Sequence, residues 1–215
     1  MYDNPEWLHR LLATMRDGIL RNHRDAELAG DWRLCNHDNQ AINYSLELPD
    51  PSSDSTPVGR SQLWCRMAAQ EFTLVGPEQW EEFMFRYQLP IMSEFGLVAY
   101  GCCEEMASRI PALKRVPKVR RIAVTPVSDA ARCAELIGDT HVASYRPSPA
   151  DMVSYSWDEP RVRSILRRDL EAFRSNGCFV DVTLKDVETV QADPLRVGKW
   201  VRVVREVAAE VFTSG

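Results

Sequence analysis

The sequence holds no apolar run approaching the roughly 18 residues that a membrane-spanning helix needs. Its first residues, MYDNPEWLHR, carry neither the basic nor the apolar region of a secretory signal. A cytoplasmic location is the expectation. Excess positive charge is also missing: 26 Lys and Arg stand against 31 Asp and Glu, a net charge of −5. A phosphate-backbone binder usually concentrates basic charge, so neither nucleic acid nor a membrane is an expected partner. Cysteine is present without a scaffold spacing. Six are scattered at 35, 65, 102, 103, 133 and 178, in a protein large enough to build its own core, which predicts free thiols.

What is present is ordinary for a globular protein: 45% hydrophobic and 27% charged residues over 215 positions. That suffices for a single domain over 1–215. Asn4 and Pro5 start a helix whose Trp7, Leu8, Leu11, Leu12, Met15, Ile19 and Leu20 recur at helical spacing, predicting one buried face. A short strand is expected over Asp31–Asn36, ending in the polar cluster Asn36, His37, Asp38 and Asn39. From 41 to 61 prolines, serines and aspartates describe a rim loop or lid. Gly76-Pro77 opens a helix that Pro90 should kink.

Further on, apolar strands alternate with helices. Strands are expected over Phe95–Tyr100, Arg120–Thr125, Thr140–Tyr145 and Cys178–Leu184. Helices follow, one capped by Ser128-Asp129, others starting at Trp157-Asp158-Glu159-Pro160 and at Asp193-Pro194; the last should turn Val197, Trp200, Val201, Val204 and Val211 inward. Strand-helix repetition with short links implies parallel strands and right-handed crossovers. Polar residues at strand C-termini then converge where α/β sites are built.

Several segments carry a resemblance: Gln79-Trp80-Glu81-Glu82-Phe83 with Gln88-Leu89-Pro90-Ile91, Phe95 through Glu104 including Tyr100-Gly101-Cys102-Cys103-Glu104, and Ala134 through Gly138. Ser144 through Ala150 and Leu184 through Val190, followed by Asp193-Pro194, continue it. Together they resemble the uroporphyrinogen decarboxylase family, including its corrinoid methyltransferase relatives. The resemblance implies a partial (β/α)8 TIM barrel, about the last five βα units, in an N-terminally incomplete domain. The parent activity it implies is a lyase that decarboxylates a carboxylated tetrapyrrole. That reaction needs no cofactor, because the pyrrole takes up the proton and acts as the electron sink.

The alternative it implies is methyl transfer between a corrinoid and a thiol, with zinc at Cys102, Cys103 and Glu104. A third reading is a non-catalytic half-barrel that self-associates or needs a complementing N-terminal fragment. Lys185, Asp186 and Glu188 are the catalytic candidates, and Asn36, Asp38, Tyr100 and Arg146 the substrate-binding ones. Strand alternation would turn Lys185 away from Asp186 and Glu188. His141, in an apolar strand, reads as a satisfied core histidine rather than a ligand.

Overall fold

The computed structural model describes residues 1–34, 45–50 and 56–213. These residues build an α/β structure in which helices alternate with five short strands. The strands are β1 (Trp64–Met67), β2 (Leu97–Tyr100), β3 (Val119–Val124), β4 (Val142–Tyr145) and β5 (Phe179–Val182). They make one sheet in the order β1-β2-β3-β4-β5. Pairing is parallel for β1–β2, β3–β4 and β4–β5, with Cys65 opposite Val98, Ala123 opposite Ser144 and Ser144 opposite Asp181. The protein divides into two compact units, Met1–Glu104 with Arg115–Arg120, and Glu105–Lys114 with Arg121–Gly215.

In the first unit α1 (Pro5–Leu28) begins as its sequence directs: Asn4 Oδ1 accepts the Trp7 N–H at 3.1 Å and Pro5 occupies the first helical position. Its apolar face is not buried, however. Trp7, Leu11, Met15 and Ile19 are exposed and no α1 residue is buried. The next helix runs as α2 (Pro77–Trp80), a π-helical turn (Glu81–Phe85) and α3 (Arg86–Ser93). The irregular turn thus precedes Pro90, which lies inside α3 with its carbonyl-side neighbours still helical. Trp80 and Phe85 stack at 4.5 Å between ring centroids, and Tyr100 of β2 meets both edge-on at 6.1 and 6.0 Å.

Gly96, just before β2, is a place where only glycine fits. Its N–H donates to the Leu63 carbonyl at 3.0 Å, and a Cβ there would collide with the Ser61 carbonyl oxygen.

The expected strand over Asp31–Asn36 is not formed by its described part: Arg33 makes only an isolated antiparallel bridge to Pro57. The strand that heads the sheet is instead β1, a stretch without a single β-branched residue.

In the second unit α4 (Ile110–Leu113) precedes β3, α5 (Ala130–Ile137) follows it, and α6 (Glu159–Ser175) and α7 (Leu195–Thr213) flank β5. Asp129 and Asp158 cap α5 and α6 by accepting the Arg132 and Arg161 N–H groups at 3.0 and 3.1 Å. Ile122, Val124, Ala143, Ile137, Leu166, Leu170 and Phe173 are fully buried and form the core. On α7 the inward residues are Trp200, Val203, Val207 and Val211. Val197 is exposed and Val201 and Val204 only half-buried, so the buried stripe lies a step round from the expected one.

The basic run before β3 holds helix ends. Lys114 Nζ donates to the Leu136 carbonyl at 2.8 Å, and Lys118 Nζ to the Ser93 and Phe95 carbonyls at 2.6 Å, cations at helix C-termini. No helix among the described residues is long and apolar enough to cross a membrane.

Candidate functional site

The strand ends that the sequence marks out are engaged with the protein itself to differing degrees. After β2, Gly101 (φ 103°) turns the backbone in a conformation that favours glycine. Glu104 folds back, fully buried, and its carboxylate accepts the Ala69 N–H at 2.8 Å and the Cys102 N–H at 2.7 Å. It therefore ties the segment after β1 to the segment after β2. Cys102 and Cys103 are half-buried with their sulfurs 3.6 Å apart. Among the described residues no three His, Cys, Asp or Glu side chains are grouped to hold a metal.

Tyr100, expected at the substrate, is fully buried and donates to Gln88 Oε1 at 2.6 Å. Its side chain takes the helix side of β2, where Trp80 and Phe85 cover it.

In the second unit Arg146 is buried. It lines a cavity of about 620 Å³ with Thr125, Ser128, Tyr145 and Ser148. The Tyr145 hydroxyl donates to Asp169 of α6; burial first, and then the Asp169 charge, push its ionisation well above the ordinary phenol range. Asp181 of β5 gathers the neighbouring strands. It accepts from Arg121 Nε at 2.6 Å, from Ser144 Oγ at 3.2 Å and from Thr183 Oγ1 at 3.5 Å.

Beyond β5 Lys185 Nζ donates to Asp186 Oδ2 at 2.5 Å. The two were expected on opposite faces. Alternation lapses because β5 ends at Val182 and Asp186 takes a left-handed backbone (φ 58°) that swings its carboxylate back. Glu188 is exposed. His141 is buried and its Nδ1 lies 2.9 Å from Thr140 Oγ1, in keeping with a core histidine. Asn36, His37, Asp38 and Asn39 lie outside the described residues.

A site that the sequence did not announce is a cavity of about 590 Å³ wholly within the first unit. Its walls are mostly apolar: Leu12, Met15 and Ile19 of α1, Trp32, Trp64, Met84, Ile91 and Phe95. Into this lining come Arg16, Arg33, Arg66 and His23, while no described aspartate or glutamate lines it. Arg33 is held by the Gly30 and Trp32 carbonyls, which orient its charge without cancelling it. Arg16 pairs with Asp17 at 2.8 Å on the exposed side of α1, a contact that water screens.

His23 stands edge-on to Trp32 and Phe95, at 5.4 and 5.7 Å, and its Nδ1 is buried without a hydrogen-bond partner among the described residues. Desolvation, and then the nearby Arg60 charge, hold its ionisation below the usual histidine range, so the ring is neutral at pH 7.

Gln88 closes the inner wall. Its Nε2 donates to the Ala68 carbonyl at 2.7 Å and its Oε1 accepts from Tyr100, so Tyr100 fixes a wall residue rather than a ligand. A sequence signal existed: Leu12, Met15, Arg16, Ile19 and His23 share one helical face of α1, on which basic groups interrupt the apolar stripe. An apolar cavity of this size with a few convergent polar groups suits a small molecule. Its charges favour one with an apolar body and an anionic group. No protein-family model matches the sequence, and no curated protein is significantly similar to it.

Proposed function

We propose that the protein binds a carboxylated, apolar-bodied small molecule in the first-unit cavity, and that its parent activity is decarboxylation of a carboxylated tetrapyrrole on a partial (β/α) barrel. One observation carries the binding reading: a cavity of about 590 Å³ walled by aromatic and aliphatic side chains, with three arginines and no described carboxylate. A tetrapyrrole carboxylate has that chemistry, a flat apolar ring system with carboxylates at its edge. Bidentate guanidinium contacts fix carboxylates and aromatic walls take the ring. The sequence resemblance supplies the reaction. The pyrrole carbon takes a proton, the bond joining the carboxylate to its methylene carbon breaks, carbon dioxide leaves, and the bond electrons flow into the protonated ring to give an exocyclic methylene. That carbon then takes a proton to become a methyl group, and the ring carbon releases the proton it gained, restoring the pyrrole.

Titration of the purified protein with a porphyrin octacarboxylate, read by quenching of Trp32 and Trp64, tests the binding. A Kd of about 10 µM or tighter is expected, roughly −7 kcal/mol. Chromatography of porphyrinogen products then tests turnover, and absence of product at saturating substrate removes the decarboxylase reading. A Kd weaker than about 1 mM removes the reading.

A second reading, zinc-dependent methyl transfer from a corrinoid to a thiol, is favoured by the adjacent Cys102 and Cys103 sulfurs. Elemental analysis of protein prepared without chelator tests it, since a zinc-free active preparation rules it out. The half-barrel reading is favoured by the open sheet order, in which β1 and β5 are the end strands. Size-exclusion chromatography over a concentration series tests that one, and a monomer throughout removes it.

A further inference from the structure

We infer that Cys102 and Cys103 form a reversible thiol–disulfide site, and that its closure loosens the inner wall of the first-unit cavity. The coupling to the cavity is read as ligand affinity only if the proposed binding function holds; the redox chemistry does not depend on it.

Adjacent placement and accessibility select this pair. The sulfurs are 3.6 Å apart and both residues are half-buried rather than sealed. The other described cysteines are protected. Cys65 and Cys133 are buried, and desolvation pushes their thiols up to about 12. Cys178 is buried too, with its ionisation raised by desolvation and its Sγ directed at the Ala134 carbonyl at 3.3 Å. An oxidant therefore meets Cys102 and Cys103 first among the described cysteines, because these two are half-buried and the other three are buried.

The chemistry needs a low-molecular-weight disulfide of the glutathione class. One Cys thiolate attacks a sulfur of that disulfide; its S–S bond breaks and one small thiolate leaves. The second Cys thiolate then attacks the protein sulfur of the mixed disulfide, the protein S–S bond forms and the second small thiolate leaves. Two electrons pass to the oxidant, and the two protons lost by the cysteines are taken up by the departing thiolates. Neighbouring Cα atoms sit about 3.8 Å apart across a trans peptide, short of the roughly 4.4 Å at which disulfides usually begin. The ring is therefore easily reduced again, as labile regulatory disulfides are.

Closing the ring must turn the peptide between the two cysteines, and the backbone torsions at Cys102 pass that turn to the preceding peptide. The N–H of that preceding peptide, on Cys102, is held by Glu104 Oε2 and moves with it. The other oxygen of that carboxylate holds Ala69. Ala68 is held in turn by Gln88, a residue of the cavity wall, and Met67 beside it lines the same cavity. A rearrangement of Glu104 is thus passed through two residues to the wall.

The test incubates the full-length protein with oxidised glutathione and maps alkylated peptides by mass. The 102–103 peptide should appear lighter by two hydrogens and unalkylated, reverting with dithiothreitol, while Cys103→Ser stops at a mixed disulfide on Cys102. Hydrogen exchange in the segment 67–70, which needs no ligand, should rise about 2- to 10-fold on oxidation, the weight of one hydrogen bond. It should not change in the Cys102→Ser, Cys103→Ser double variant. Porphyrin affinity should fall by a similar factor. Two alkylatable thiols, or a separate glutathione on each, overturn the site. A closed ring with unchanged exchange overturns its coupling to the wall. Absent porphyrin binding with increased exchange overturns the proposed ligand and leaves the switch standing.

Discussion

Replacing Glu104 by Gln is the sharpest test of what the strand-end carboxylate does. Glu104 is 0% exposed, and its two oxygens each accept a backbone N–H, from Ala69 at 2.8 Å and Cys102 at 2.7 Å. Glutamine has the same shape but one acceptor. Its amide nitrogen would face an N–H donor, so one of the two buried amides must lose its partner. A hydrogen bond to a charged group is worth about 1.5–3 kcal/mol, and an orphaned buried donor costs about 1–3 kcal/mol more. These overlap in part, and a destabilisation of about 2–4 kcal/mol is expected. For a protein of this size that lowers Tm by about 5–15 °C.

Urea titration followed by tryptophan emission gives the free energy, with an unchanged slope showing that the unfolded state is not what altered. Metal-free protein is used throughout. If Glu104 acts instead as a metal ligand, the variant loses metal while its apo stability stays put. A change below about 0.5 kcal/mol in the metal-free protein refutes the clamp.

Titration, packing and charge set the remaining expectations. The ionisation of His23 is depressed in the folded state, so the unfolded protein binds more protons as pH falls. Stability contributed by the neutral ring is full above the ordinary histidine range and declines as pH drops from about 7 toward 5, and His23→Gln should flatten that slope in pH-dependent melts. The ionisation of Glu27 is depressed by hydrogen bonds from the Arg60 guanidinium and backbone; its contribution is present at neutral pH and fades below about pH 4.5, and Glu27→Gln should remove that acid-side loss. Phe173→Ala empties a fully buried site against Tyr145 and should cost about 3–5 kcal/mol in urea titration. Arg33→Glu should weaken porphyrin carboxylate binding at least about tenfold, less so at high salt, and an unchanged Kd removes Arg33 from the site.

The second unit was largely legible because its signals are local. Asp129 and Asp158 announce helix starts by chemistry that acts within three residues, and Val162, Leu166, Leu170 and Phe173 keep one face at helical spacing. Even there, α7 shows the limit: valine occupies both flanks of its stripe, so composition does not say which way Val197 or Val203 faces. In the first unit β1 does not stand out in sequence because Trp64-Cys65-Arg66-Met67 holds no β-branched residue and only one strand-favouring aromatic. It is a strand because Val98 and its neighbours offer it a ladder. The Asp31–Leu34 stretch failed in the opposite sense, with strand-like residues that find only one bridge.

The candidate site was harder to read for a related reason. Charged residues at strand ends attract attention, yet Glu104, Asp181 and Asp186 are each occupied by protein donors, at 2.8, 2.6 and 2.5 Å. A carboxylate that a fold needs as a clamp looks, in one dimension, like one that a substrate needs. The cavity residues look like nothing in particular: Arg16 and His23 sit on a helix, Arg33 follows a tryptophan, and Arg66 lies inside a strand. What unites them is negative information that only three dimensions supply, the absence of any described carboxylate from the lining of a cavity in a protein whose net charge is −5. With acids in excess overall, an apolar space whose lining carries three arginines and a histidine is where an incoming carboxylate meets no described lining acid to compete with it for the guanidinium groups.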